Sequence, residues 1–410
     1  MQKSLPTVAL IALLLSACAP AAPAVSTAAS ATNTAFPATL TPSPPPAPTT
    51  TLTPTPTATQ TPSPTLTHTL AILNPLTGLA VSDPATLERR PLAIKVAHFP
   101  RRVRPQYGLS FADNVWEHYA EGGVTRFTAI FLGQSPAKVG NIRSARLIDT
   151  ILGEAYQAML VASGSSQGTL DRLRETDFYN RVIAEATGYT ECPILCREEA
   201  KSVTTDKLFT SPAALWQLAT ELKLNGRQNL AGFAFDPLPP PGGVDATTIH
   251  LDFQLNNTVT EWRYDAATQT YARWVDAAAL PELAAHTDAL TNQPITAANV
   301  VVVYAPHASS NIREDENGQY YSYEIQLTGS GPARLFRDGR MYELNWKRAD
   351  AQAGLPHFVD SAGSPAPFKP GNIWFDVVTP DSPTKFDAAR GIFTLRFKAP
   401  DPFPDLTPIP

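Results

Sequence analysis

Arginine is the residue most densely placed for chemistry in this sequence. Arg101, Arg102 and Arg104 come first, then Arg126 just behind Gly122-Gly123, then Arg143 and Arg146. A guanidinium is a rigid fork of donors that meets a phosphate or carboxylate through two hydrogen bonds. A glycine pair lets backbone approach a ligand closely or adopt positive φ. Arg143 and Arg146 are three apart, so a helix starting there would carry both on one face. Gathered with Arg104 and Arg126, they would line an anion pocket. The competing reading is that they pair with Glu117, Glu121 and Asp149 and hold the fold together. No glycine spacing matches a phosphate loop or a dinucleotide fingerprint.

Other residue types offer less. Glu117-His118 and Glu121 set two carboxylates around an imidazole, the material of acid–base work or the start of a metal site. No His-x-x-x-His, no His-Glu-x-x-His and no second ligand cluster accompanies them, and His286, His307 and His357 are scattered. The sequence therefore specifies no metal and no cofactor. Ser165, in Ser163-Gly164-Ser165-Ser166, follows an apolar run and precedes helical spacing. Its flanking glycines do not fit Gly-x-Ser-x-Gly, so a helix cap or a ligand contact is the expectation. Cys192 and Cys196 suit a small disulfide loop outside the cytoplasm, with two free thiols as the alternative. Their spacing is not that of a redox Cys-x-x-Cys.

These residues sit in a chain made of two materials. Of 410 residues 40 are proline, and only 17% are charged. Residues 1–17 carry Lys3 and then the apolar stretch from Leu5 to Leu15, and end in Ser16-Ala17 before Cys18. That pattern reads as a secretory signal and resembles the bacterial lipobox, whose cysteine is acylated. Acyl chains bury methylenes at about 0.8 kcal/mol each, so Cys18 is the expected lipid anchor. Residues 18–70 are almost only Ala, Pro, Ser and Thr. Such a segment cannot bury enough apolar surface to order itself, and its prolines bias it to an extended spacer. All 37 acidic and 31 of the 32 basic residues lie from Asp83 onward. The net charge of −5 excludes a general nucleic-acid binder, and no apolar run reaches the roughly 20 residues of a membrane span.

The body must position the candidate residues on regular elements. Leu92–Ala97, Phe127–Leu132 and Ala158–Ala162 read as strands, and 145–155, 169–176 and 212–222 have helical spacing. Later runs at 249–253, 259–264, 271–275, 300–304, 320–327, 333–336 and 340–346 read as strands, the last two joined by Arg337-Asp338-Gly339. The expected fold is α+β or α/β. An N-terminal α/β sandwich-like domain (71–236) and a Pro-rich linker (237–243) precede a mostly antiparallel, β-rich domain (244–400) and a Pro-rich tail (401–410).

Several motifs carry a family resemblance. They are Arg104-Pro105-Gln106-Tyr107-Gly108-Leu109, Ala112-Asp113, Glu121-Gly122-Gly123-Val124-Thr125-Arg126-Phe127 and Gly140-Asn141-Ile142-Arg143-Ser144-Ala145-Arg146. In the second half they are Tyr264-Asp265, His286 with Asp288, Asn299-Val300-Val301-Val302, Phe336-Arg337-Asp338-Gly339 and Lys369-Pro370-Gly371-Asn372-Ile373-Trp374. Together they resemble the YerB-like lipoproteins, a domain of unknown function (number 3048) with N- and C-terminal parts. The match runs from about Asn74 to Val378. It departs at His98, where the family commonly has Asn, so an amide-specific role does not transfer. The resemblance implies a bacterial, extracytoplasmic, lipid-anchored protein and supplies no activity.

The functional expectation is a cell-envelope lipoprotein, on the cell membrane or in the outer envelope, that binds an anionic ligand. A cell-wall glycan, a phosphate-bearing polymer or a peptide carboxylate would each fit. The alternatives are an enzyme of phosphoryl or glycan transfer or hydrolysis on envelope polymers, and a protein–protein scaffold. Nothing points to nucleic acid.

Overall fold

Leu92–Ala97 forms β1, apolar except for Lys95 and buried on both faces, as a central strand requires. The computed structural model describes residues 71–198, 207–253, 258–277, 282–314, 320–350 and 354–400. The signal, Cys18, the spacer and the tail at 401–410 lie outside the described residues. β2 (Asn114–Ala120) and β3 (Val124–Phe131) follow, then α1 (Ile148–Ala155), β4 (Met159–Val161), α2 (Gln167–Arg174), β5 (Val182–Ile183) and α3 (Pro212–Glu221). β3 lies antiparallel between β1 and β2, and β4 and β5 add in parallel on the far side of β1.

The second half contributes β6 (Thr248–Asp252), β7 (Val259–Asp265), β8 (Thr270–Asp276), β9 (Asn299–Tyr304), β10 (His307–Arg313) and β11 (Tyr321–Ile325). β12 (Gly329–Arg337), β13 (Arg340–Arg348), β14 (Ile373–Val378), β15 (Thr384–Asp387) and β16 (Ile392–Arg396) complete it. The β12–β13 hairpin turns on Asp338 at φ 53° and Gly339 at φ 73°, the two left-handed residues such a tight turn needs. β14 pairs in parallel with β9 on one edge and with β2 on the other. One sheet therefore runs through both halves of the sequence, in the order β13-β12-β9-β14-β2-β3-β1-β4-β5, with Val244–Asp245 beyond β13. A second sheet is ordered β8-β7-β6-β16-β15.

Strand alternation divides the core. Leu92, Ile94, Val115 and Phe127 on one face of the first sheet join Ile249, Leu251, Trp262 and Phe393 of the second sheet and Leu215 of α3. Ala93, Trp116, Ile130 and Leu160 on the other face join Ile148 and Leu152 of α1 and Leu173 of α2. The fold is mostly β, with three α-helices among the described residues, and is α+β in that broad sense.

The structure draws Cys192 and Cys196 into a disulfide with Cα atoms 4.5 Å apart. Alkylation of the unreduced chain should leave both cysteines unlabelled. Labelling of either would remove the bond from the account.

Candidate functional site

β2 decides how the candidate residues are sorted. Its side chains alternate, so Glu117 turns to the second sheet while His118 turns to α1, and the two do not form one acid–base group. Arg104 also lies on the Glu117 side, where with Arg101 it binds Asp276. Arg126, Arg143 and Arg146 lie toward the helices. The single pocket expected from Arg104 and these three is therefore two separate clusters.

On the helix side, Gly122 and Gly123 take φ of 71° and 75° and close the β2–β3 connection within three residues. That turn hangs Glu121 over β3. Arg126 Nη2 donates to Glu121 Oε1 at 3.1 Å, and Arg146 Nε to Glu121 Oε2 at 2.5 Å, with Arg146 Nη2 also on Oε1. Arg126 Nη1 donates to the Ser144 carbonyl at 3.1 Å. The Arg143 amide bonds the Lys95 carbonyl and its own carbonyl accepts from Ser163, which straps the segment between the end of β1 and the loop after β4. Arg143 adds its charge to that felt by Arg126.

A second carboxylate enters from the chain that follows β10. Glu314 takes Arg146 Nη1 at 3.3 Å, Ser166 Oγ at 3.0 Å and Thr169 Oγ1 at 3.2 Å, and also the Ser322 hydroxyl. Ser166 caps α2 through the Thr169 amide, so Glu314 sits where a helix N-terminus favours negative charge. It is Ser166, next to the expected Ser165, that does the capping. Burial alone would raise Glu121, but Arg126 and Arg146 hold it at about 2. Burial, and then Arg146, bring Arg126 down to about 10. The side chains of Arg126 and Arg146 remain 15% and 8% exposed, so this rim meets solvent.

Beneath the rim lies a fully buried group that the sequence reading passed over. Lys95 Nζ contacts Asp149 Oδ1 at 2.9 Å and Oδ2 at 2.8 Å, His118 Nε2 at 2.5 Å and Thr128 Oγ1 at 3.0 Å. Burial pulls Lys95 down to about 8, against the pull of Asp149. Burial would raise Asp149, yet Lys95 and then His118 keep it below its ordinary value. The available signal was a lone lysine inside the apolar run of β1.

The opposite face holds another dry polar group. Glu117 accepts from Arg273 Nη2 at 2.6 Å and from Thr125 Oγ1 at 2.7 Å, and His98 Nδ1 lies 3.3 Å from it. Arg273 reaches His286 Nδ1 at 2.5 Å, and His286 Nε2 meets Gln106 Oε1 at 2.6 Å. Asp376 stands opposite Glu117 in the β2–β14 register, and its oxygens find no donor among the described residues. Burial and Glu117 push Asp376 well above the usual carboxyl range. Glu117 is held below its usual value despite burial, chiefly by Arg273. Arg101, Arg102 and Arg104 border a cleft of about 420 Å³ at the edge of this group, with His286 in its wall.

Comparison with known proteins adds the following. Residues 76–225 match the family model described as protein of unknown function (DUF3048), N-terminal domain, and residues 249–375 match its C-terminal domain. A protein of Bacillus subtilis (strain 168) bearing the name Putative lipoprotein YerB is 30% identical over 308 residues, 74% of this chain and 85% of that one. The crystal structure of YerB from Bacillus subtilis superposes with a TM-score of 0.62 at 29% identity, covering 75% of this chain and 96% of the other.

Proposed function

The chain belongs to the DUF3048 family of proteins of unknown function, and from that premise we propose a bacterial cell-envelope lipoprotein that binds an anionic ligand at the arginine rim. Cys18 is the anchor and residues 18–70 are the spacer that lifts the body from the membrane. Among the described residues no helix is long and apolar enough to cross a membrane, and lipidation needs none.

The observation that carries the binding reading is the convergence of Arg126 and Arg146 on one carboxylate, Glu121, with Arg143 alongside at the solvent edge. Arginines dispersed into separate core ion pairs would have argued against it. Here two guanidiniums already hold an anion, Arg146 in forked geometry and Arg126 through one nitrogen, beside the ends of parallel β1 and β4 and the start of α2, the place where α/β sheets take ligands. Glu121 and Glu314 occupy the donors internally, and an external phosphate or carboxylate would exchange with them.

Calorimetric titration of the detergent-solubilised full chain with inorganic phosphate and with polyphosphate tests this. Arg143→Gln should weaken binding roughly tenfold through loss of a charged hydrogen bond. Glu121→Gln should tighten it by removing the internal competitor. No binding by the wild-type chain or by E121Q would end the anion reading and leave the rim as a structural ion cluster.

A further inference from the structure

Lys95 and Asp149 meet between the first sheet and α1, and neither side chain has any exposed surface. The amine is 2.9 Å from Oδ1 and 2.8 Å from Oδ2. Such equal distances place the amine across both oxygens of one carboxylate, so that the nitrogen and the carboxyl carbon are held next to each other. The surroundings supply the rest of an acyl substitution. His118 Nδ1 lies 2.9 Å from the Tyr119 carbonyl, so that nitrogen carries the ring hydrogen. Nε2, 2.5 Å from Lys95 Nζ, then offers its lone pair to the amine. Burial brings His118 down to about 3, which keeps the ring neutral and its Nε2 lone pair unprotonated.

The oxygens of Asp149 are equally well served. Thr128 Oγ1 donates to Oδ1 at 2.7 Å and is 3.0 Å from Lys95 Nζ, so one hydroxyl spans nucleophile and electrophile. The Arg146 amide donates to Oδ2 at 2.6 Å, the position of an oxyanion donor. Nucleophile, base, relay and oxyanion donor are thus all in place. With no exposed surface on the reacting pair, the reaction this group can perform is on itself.

We propose that Lys95 and Asp149 join in an intrachain amide bond. One ammonium proton passes through Thr128 to Oδ1, leaving a neutral amine facing a carboxylic acid. The nitrogen lone pair attacks Cγ, the N–C bond forms, and the carbonyl pair moves onto Oδ2 under the Arg146 amide. His118 Nε2 takes the second proton from nitrogen and returns it to Oδ1. The Cγ–Oδ1 bond breaks, Oδ1 leaves as water, and the Oδ2 pair re-forms the carbonyl. No external reactant is consumed. The dry interior disfavours the charged pair and keeps out the water that would reverse the step. The product ties the middle of β1 to the first turn of α1 and so fixes the segment that carries Arg143 and Arg146.

Tryptic digestion of the full chain followed by tandem mass spectrometry tests the bond. The expected product is a branched peptide carrying Lys95 and Asp149, lighter by one water than its parts, with no cleavage after Lys95. Lys95→Arg should abolish it. Cleavage after Lys95, with linear peptides accounting for both residues, would show a standing ion pair and overturn the proposal. So would persistence of the branched peptide in K95R.

Discussion

Replacing Arg273 with methionine should lower the unfolding free energy by about 3–5 kcal/mol, the loss seen when one partner of a buried ion pair is removed. Arg273 has no exposed side-chain surface, and its guanidinium binds Glu117 at 2.6 Å and Thr260 Oγ1 at 2.9 Å. It also lies 4.9 Å from the ring centre of Trp374 and 5.2 Å from that of Phe127. Methionine keeps much of the packing but leaves the Glu117 carboxylate in a dry interior beside a second acid, Asp376. The cost should show in urea unfolding followed by the fluorescence of the tryptophans at that point. The double variant Glu117→Gln with Arg273→Met should cost less than the sum of the single ones, because the orphaned charge is gone. A single-variant loss below about 0.5 kcal/mol, the range of surface substitutions, would mean that water reaches the pair and that the group is no dry core.

The same pair explains which parts of the fold were legible in sequence and which were not. β1 and β9 are apolar runs closed by turn residues, and each reads directly as a buried strand. β2 does not, because Asn114, Glu117 and His118 interrupt its apolar pattern at the centre of the sheet. Its polar residues are tolerated only through partners distant in sequence. Arg273 reaches Glu117 across 156 positions, and Lys95 reaches His118 across 23. Periodicity is a local signal and carries no such pairing. The sign of trouble was visible all the same: Lys95, Arg273 and Asp376 are each a lone charge in an otherwise strand-like run, and a buried charge must be paired or neutralised. Among the candidate residues, Arg126 and Arg146 meet on Glu121, the pairing that the competing reading expected, and Arg143 lies near enough to act on Arg126. Arg104 and Glu117 were assigned to the same pocket on proximity in sequence, and strand alternation sends them to the other face. Glu314 carried no sequence signal, since only the fold brings the chain after β10 to the start of α2.

Replacing Asp376 with asparagine should stabilise the protein, by more at about pH 8 than at about pH 5. Asp376 lies fully inside, opposite Glu117, and burial together with that carboxylate raises its pKa well above the ordinary value. The native state therefore binds this proton more tightly than the unfolded chain does. The stability that Asp376 lends is complete below the unfolded carboxyl pKa and is lost as pH rises through the native one. Within that window the wild type should lose about 1.4 kcal/mol per pH unit from this group. Glu117 runs the other way: with its pKa held down, its contribution is present above the ordinary carboxyl range and is lost on acidification. Asparagine never ionises, and its side chain carries an amide donor in place of a group that must take up a proton to stay neutral. The difference in unfolding free energy between D376N and wild type should therefore widen steadily with pH in urea titrations, while the acid limb set by Glu117 persists in both. A difference that stays constant with pH would place a full negative charge on native Asp376 throughout. Glu117 and Asp376 would then be two neighbouring buried carboxylates, and a protonated Asp376 would have to be abandoned.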